Sequence, residues 1–253
     1  PCRFCPAFRR NRQAAIINRR DGEKWEPTGR KGLCYHDAVQ NIDLAQTFIT
    51  LAVLLVSLTI HEAAHAWSAS VLGDPTARAL GRVSLNPLVH IDPVGTLFFP
   101  LIGLIFGGMV FGWAKPVPVN TLNLKSPRKD HLLIAAAGPV SNLLQALFCL
   151  LGLYLLMGFF GRYEVASHSV LRPLFELFYW GLILNVILAV FNLFPIPPLD
   201  GSWILQGILP DNLARAMDSL RPYGFLLLLM LLFGGVFGSV IGPILVRVQQ
   251  MVP

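Results

Sequence analysis

Charge is scarce in this chain. Asp, Glu, Lys and Arg make up 13% of its 253 residues, against about 25% in a soluble domain, and the mean hydropathy is +0.59. So little polar surface cannot cover a water-soluble globule. Cysteine is equally sparse: Cys2 and Cys5 form one isolated CxxC, with Cys34 distant and Cys149 inside an apolar run. Without a second nearby pair, a zinc knuckle is not expected. No internal repeat or low-complexity stretch stands out. No secretory signal peptide is expected either, since the first long apolar run begins near residue 46 and is too long for one.

The absence of charge is regional. No Asp, Glu, Lys or Arg occurs in residues 93–114, 131–161, 177–199 or 222–246, and residues 44–72 hold only Glu62. Crossing the hydrocarbon core as a helix takes about 20 mostly apolar residues. Helices are therefore expected near 46–72, 97–112, 132–158, 175–194 and 223–246. The second is interrupted by Gly103, Gly107 and Gly108. The expected fold is an all-α membrane protein, a multi-pass bundle of about five to six transmembrane helices in the lipid bilayer.

The net charge of +6 does not signal nucleic acid. Nine Lys/Arg against four Asp/Glu lie in residues 1–40, so +5 of the total belongs to that tail. A polar basic segment of this kind is expected to be poorly ordered and to meet anionic lipid heads. Two parts follow: a tail, 1–43, and a membrane domain, 44–253.

Within the first apolar run, His61, Glu62 and His65 stand together. Helical residues four apart share a face, so His61 and His65 can grip one metal ion. Glu62 follows the first ligand and can act as a base towards water that such an ion acidifies. Ala63 and Ala64 are small and let a neighbour approach. Ionisable groups at membrane depth cost at least ~2.5–3.5 kcal/mol on insertion scales and mark function. Three within five residues call for a partner, and a divalent cation is the simplest. A catalytic zinc commonly takes three protein ligands. The candidates for the third are Glu176, Asp200, His90 and His168. Asp200 follows Pro195, Pro197 and Pro198, which must stop the preceding helix. Irregular backbone at membrane depth is tolerated where it lines a wet cavity. A short amphipathic helix, Ser202–Leu209, is expected beyond it.

His61-Glu62-Ala63-Ala64-His65 followed by Asn192-x-x-Pro195-x-Pro197-x-Leu199-Asp200-Gly201 resembles the site-2 protease family of intramembrane metalloproteases. The likeness covers residues 46–246, with Gly138-x-x-x-Asn142 matching a further feature of the family. It implies one zinc held by His61, His65 and Asp200, with Glu62 as catalytic base. It further implies that Asn192 holds the substrate or the developing oxyanion, and that the substrates are transmembrane proteins in a prokaryotic cell membrane. The chain resembles the compact type, without a PDZ insert. The resemblance also suggests a small membrane-associated β-loop over Gly107–Asn120, whose edge would pair with an unwound substrate; a plain connecting loop is the alternative. By the positive-inside rule the tail belongs in the cytoplasm. The family arrangement instead puts Arg78 and Arg82 there, and it is the one expected.

Among weaker residues, Asp92 is expected to cap its loop and His90 is a candidate to orient a metal ligand. His168 and Glu176 are expected at the membrane interface. His36 and His131 carry no functional reading. Rival classes are a divalent-cation transporter, which would want several sites along a path, a non-catalytic membrane scaffold, and another zinc protease using a downstream helical Glu.

Overall fold

The computed structural model describes residues 44–98 and 112–253. The tail 1–43, with Cys2, Cys5, Cys34 and His36, and most of the expected second span, 99–111, lie outside the described residues. The helices are α1 (Leu44–Leu72), α2 (Thr76–Ala79), α3 (Pro127–Ser167), α4 (Leu171–Asn192), α5 (Asp200–Ile208), α6 (Asp211–Leu220), α7 (Gly224–Phe233) and α8 (Val236–Gln250). Among the described residues no strand forms.

Among the described residues, four stretches are long and apolar enough to cross a membrane: Ala45–Leu72, Pro127–Ala166, Leu171–Asn192 and Asp211–Phe233. The last includes α6, which carries Asp211, Arg215 and Asp218 and buries only Ala214 and Met217. An interfacial position suits α6, and the apolar crossing proper begins with α7. The expected span 223–246 is not continuous. It breaks between α7 and α8 at Gly235, whose φ of +74° is the left-handed conformation that glycine adopts without penalty.

α3 opens on Pro127, whose fixed φ suits the first helical turn. One stripe of it (Leu133, Val140, Leu144, Leu147, Leu151 and Leu155) is exposed. That stripe would be a liability in water and suits hydrocarbon. The opposite stripe buries Ala146 and Leu153 against Leu182 and Val186 of α4. The backbones approach closely there: a Cβ at Gly181 would come within 2.6 Å of Cys149 Sγ. Small residues at such crossings let membrane helices gain dispersion contacts where hydrophobic driving force is missing.

The connection from α1 to α3 is held by two buried charges. Asp74 accepts from Thr76 N at 3.1 Å, Thr76 Oγ1 at 2.5 Å, Asn120 N at 2.7 Å and Asn123 Nδ2 at 2.8 Å. Arg82 donates to the carbonyls of Val89, Lys115 and Pro116. The expected β-loop is therefore corrected in its described part, 112–120, which runs as irregular chain. Its backbone bonds go to the preceding loop, Trp113 N to Gly95 O at 3.2 Å and Lys115 N to His90 O at 2.9 Å. Pro116 and Pro118 supply no donors to extend a ladder. Residues 107–111 of that loop lie outside the described residues.

Burial by itself would raise the Asp74 carboxyl, but the donors from Thr76, Asn123 and Asn120 outweigh it and hold its pKa below the usual carboxylate range. A lowered folded-state pKa contributes stability that is present above the unfolded value, about 3.9, and is lost as pH falls through that range. Asp74→Ala is expected to cost on the order of 1–3 kcal/mol by stranding buried donors. The check is the thermal midpoint in detergent. The wild type should lose its advantage over the variant on acidification.

Candidate metal centre

Three elements bring one cluster together. Ser57, His61 and His65 lie four apart on α1, so they form one polar stripe, and all three are buried. α3 lays Ile134, Gly138 and Asn142 against that stripe. α4 ends at Asn192, after which Pro195, Pro197 and Pro198 turn the chain back to present Asp200 at the first turn of α5. Gly201 permits the turn, because a Cβ there would sit 2.2 Å from the Leu193 carbonyl oxygen.

Both histidines are oriented by their outer nitrogens. Ile134 offers only a carbonyl, so His65 Nδ1, at 2.7 Å from it, carries the proton. Pro139 lies within the same turn of α3 and has no amide to give the carbonyl of Ala135. For His61 the assignment runs through three helices. Asn185 Nδ2 donates to Gly181 O and to Ser57 Oγ, each at 2.9 Å, so its Oδ1 is left to face Asn142. Asn142 must then donate through Nδ2, at 2.8 Å, and its Oδ1 accepts from His61 Nδ1 at 2.6 Å.

With Nδ1 protonated on both rings, each Nε2 presents a lone pair. These two atoms lie 3.1 Å apart, and Asp200 Oδ2 stands 3.3 Å from one and 3.4 Å from the other. That carboxylate oxygen is buried and receives no hydrogen bond among the described residues. Three acceptors so close together repel one another, and a proton serves one pair only. A cation at the centre serves all three. Donors ~2.0–2.1 Å from a tetrahedral zinc are separated by roughly 3.3–3.4 Å, close to the 3.1, 3.3 and 3.4 Å found here. Gly138 completes the cradle: a Cβ would lie 2.3 Å from His65 Nε2 and 2.6 Å from His61 Cε1. His61, His65 and Asp200 are positioned to bind a metal.

A cavity of about 200 Å³ opens on this cluster, lined by His61, Glu62, His65, Asn192 and Asp200 with His131 and Trp203. Glu62 and Asn192 also line a second, apolar cavity of about 370 Å³. Asn192 gives one amide hydrogen to Leu188 O at 3.0 Å and keeps the other for the cavity. The remaining candidates for a third ligand are engaged elsewhere. His90 is buried, with Nε2 at 2.9 Å from Ser84 O, and Glu176 pairs with Arg172 at 3.2 Å. His168 caps the end of α3. Asp92 does cap its loop, accepting from Val94 N and Gly95 N.

Sequence reading passed over His131, Trp203, Asn185 and Ser57. A signal existed for three of them: His131 shares the helical face of Gly138 and Asn142, Asn185 that of Asn192, and Ser57 that of His61. Because the Asn142 oxygen holds the His61 ring, Asn142→Ala should weaken zinc binding by about 10–100-fold. Competition with a chromophoric chelator reads that change directly.

The sequence model described as Peptidase family M50 matches residues 49–232. The chain is 40% identical over 192 residues to YwhC of Bacillus subtilis, which bears the name of a zinc metalloprotease; the match covers 76% of this chain and 83% of that one. It is 30% identical over 202 residues to Rip2 of Mycolicibacterium smegmatis, also named as a zinc metalloprotease, over 78% of this chain and 71% of that one. Rip2 of Mycobacterium tuberculosis is 29% identical over 200 residues, covering 77% and 71%. No solved structure matches significantly.

Proposed function

Since the chain belongs to peptidase family M50 and is a zinc metalloprotease, we propose that it is an intramembrane endopeptidase of a prokaryotic cell membrane. It hydrolyses peptide bonds in or beside the transmembrane segments of other membrane proteins. The observation that carries this reading is the acceptor triad of His61, His65 and Asp200, set at the spacing of zinc ligands beside Glu62, inside a bundle of membrane-length helices.

Zinc, when bound by His61, His65 and Asp200, supplies Lewis-acid polarisation of a carbonyl and acidifies water. The chain's own residues do the rest. Asn142 and the Ile134 carbonyl fix the two imidazoles, so the donor atoms need no rearrangement. Glu62 places a carboxylate in the same cavity, where it accepts the proton of the attacking water and returns it to the leaving amine. Asn192 directs its free amide hydrogen at the oxygen that gains charge. An apolar helix must unwind before attack, because its peptide groups are already hydrogen-bonded. The apolar cavity beside Glu62, lined by Leu58, Leu188, Phe191, Phe225 and Leu228, gives such a segment a place to lie.

Chelation tests this. Treating the purified protein with a strong zinc chelator should abolish cleavage of a reconstituted single-span substrate, and added zinc should restore it. Cleavage that survives complete zinc removal would overturn the reading.

A further inference from the structure

Three cavities stand in a row, with the metal cluster in the middle one. On one side, the metal cavity shares His61, Glu62 and Asn192 with the apolar cavity. On the other side, it shares His131 and Trp203 with a polar cavity of about 320 Å³. These two rings form the partition: their centroids are 4.0 Å apart, and the Arg221 guanidinium lies 3.2 Å from the Trp203 ring centroid on the far face. A polypeptide crossing the metal cluster therefore meets hydrocarbon-like walls before it and polar walls behind it.

The charges of the polar cavity do not cancel. Asp211 is paired with Arg128 at 2.5 Å. Asp218 is paired with Arg221 at 2.9 Å and accepts from Gln206 at 2.8 Å. Arg215 lines the same cavity and has no acidic partner among the described residues. Arg128 Nη2 is buried without a partner as well. Each acid is matched in charge by one guanidinium, which leaves the Arg215 charge and the buried Arg128 Nη2 donor unmatched.

We infer that this cavity is a substrate subsite that takes a carboxylate side chain from the polar segment next to the membrane-spanning stretch, with Arg215 and Arg128 as its recognition groups. The inference rests on the protease reading above. The carboxylate has to belong to a side chain, because the terminal carboxylate made by hydrolysis forms at the metal cluster, on the other side of His131 and Trp203. A lysine in that segment would meet only acids that are already paired, and would lie beside Arg215.

The test separates binding from chemistry. Fluorescent peptides carrying one apolar span and a juxtamembrane Glu-Glu-Glu, Gln-Gln-Gln or Lys-Lys-Lys, at either end in separate peptides and with amidated termini, are titrated into the zinc-loaded Glu62→Gln protein in nanodiscs. The Glu peptide in one of the two polarities should bind about fivefold tighter than its Gln counterpart, the scale of a partly exposed ion pair. Arg215→Gln should erase the preference, and Arg215→Glu should invert it in favour of Lys. No binding, equal binding of the three, or a preference unmoved by the Arg215 variants would overturn the subsite. The same peptides given to the wild type read hydrolysis. Arg215-dependent binding without any cleavage would count against the protease reading and leave the subsite standing.

Discussion

Glu62→Ala is expected to abolish measurable hydrolysis, a fall of ~10²–10⁴ for loss of a general base, while zinc stays at about one per chain. The separation follows from geometry. The three acceptors come from His61, His65 and Asp200, and none of the bonds that orient them involves Glu62. Glu62 instead sits one residue after His61, about 100° further round α1, where it lines both the metal cavity and the apolar one. It is half-buried, so truncation leaves space that water fills rather than a stranded partner. Zinc content by elemental analysis and cleavage by mass spectrometry are read on the same preparation. Retained cleavage would show that another group takes the proton. Loss of zinc together with activity would show Glu62 to be a ligand, not a base.

Much of this site was legible in the sequence because membrane burial makes polar residues conspicuous. Against a background of Leu, Val and Ala, the helical spacing of His61 and His65 is readable without structure, and so is the proline-terminated helix before Asp200. The spans over α1, α3 and α4 were legible for the same reason: uninterrupted apolar runs leave little choice. The break at Gly235 was not, since glycine inside an apolar run serves close helix packing as readily as a left-handed turn. The β-loop failed differently. Val, Gly and aromatic residues at 112–120 suit a strand, but the Lys115 and Pro116 carbonyls are taken by Arg82, and the Trp113 and Lys115 amides by the loop carrying His90 and Gly95. Such long-range pairing leaves no local trace.

The polar relay was the least visible part. Ser57 and Asn185 each read singly as a tolerated polar residue in an apolar helix, and Asn142 was marked only by the Gly138-x-x-x-Asn142 likeness. Only the contact between three helices joins them in one network, in which His61 donates to Asn142, Asn142 to Asn185, and Asn185 to Ser57. Its direction is set at the far end, by the Gly181 carbonyl, which can only accept. Orientation of the His61 ring therefore depends on a backbone atom of α4, the helix that also delivers Asn192. The two halves of the site are coupled through packing, so a change that shifts α4 against α3 disturbs His61 and Asn192 together.

Asp200→Ala should do what Glu62→Ala does not, removing zinc and activity at once. Without the carboxylate, two neutral imidazoles remain, and the site loses both a ligand and its only negative charge among the three. Hydrolysis should fall at least as far as in Glu62→Ala, and zinc should dialyse away under conditions that leave the wild type loaded. The apo proteins supply a second contrast. In the wild type, zinc added to the apo protein meets three acceptors at once, because Asp200 Oδ2 lies 3.3 and 3.4 Å from the two imidazole Nε2 atoms. Zinc should then raise the wild-type midpoint, by about 2.7 kcal/mol of stabilisation at a hundredfold excess over its dissociation constant, and leave that of the variant unmoved. If zinc stabilises both proteins equally, Asp200 is not a ligand, and its position beside the two imidazoles serves the protonated rings instead.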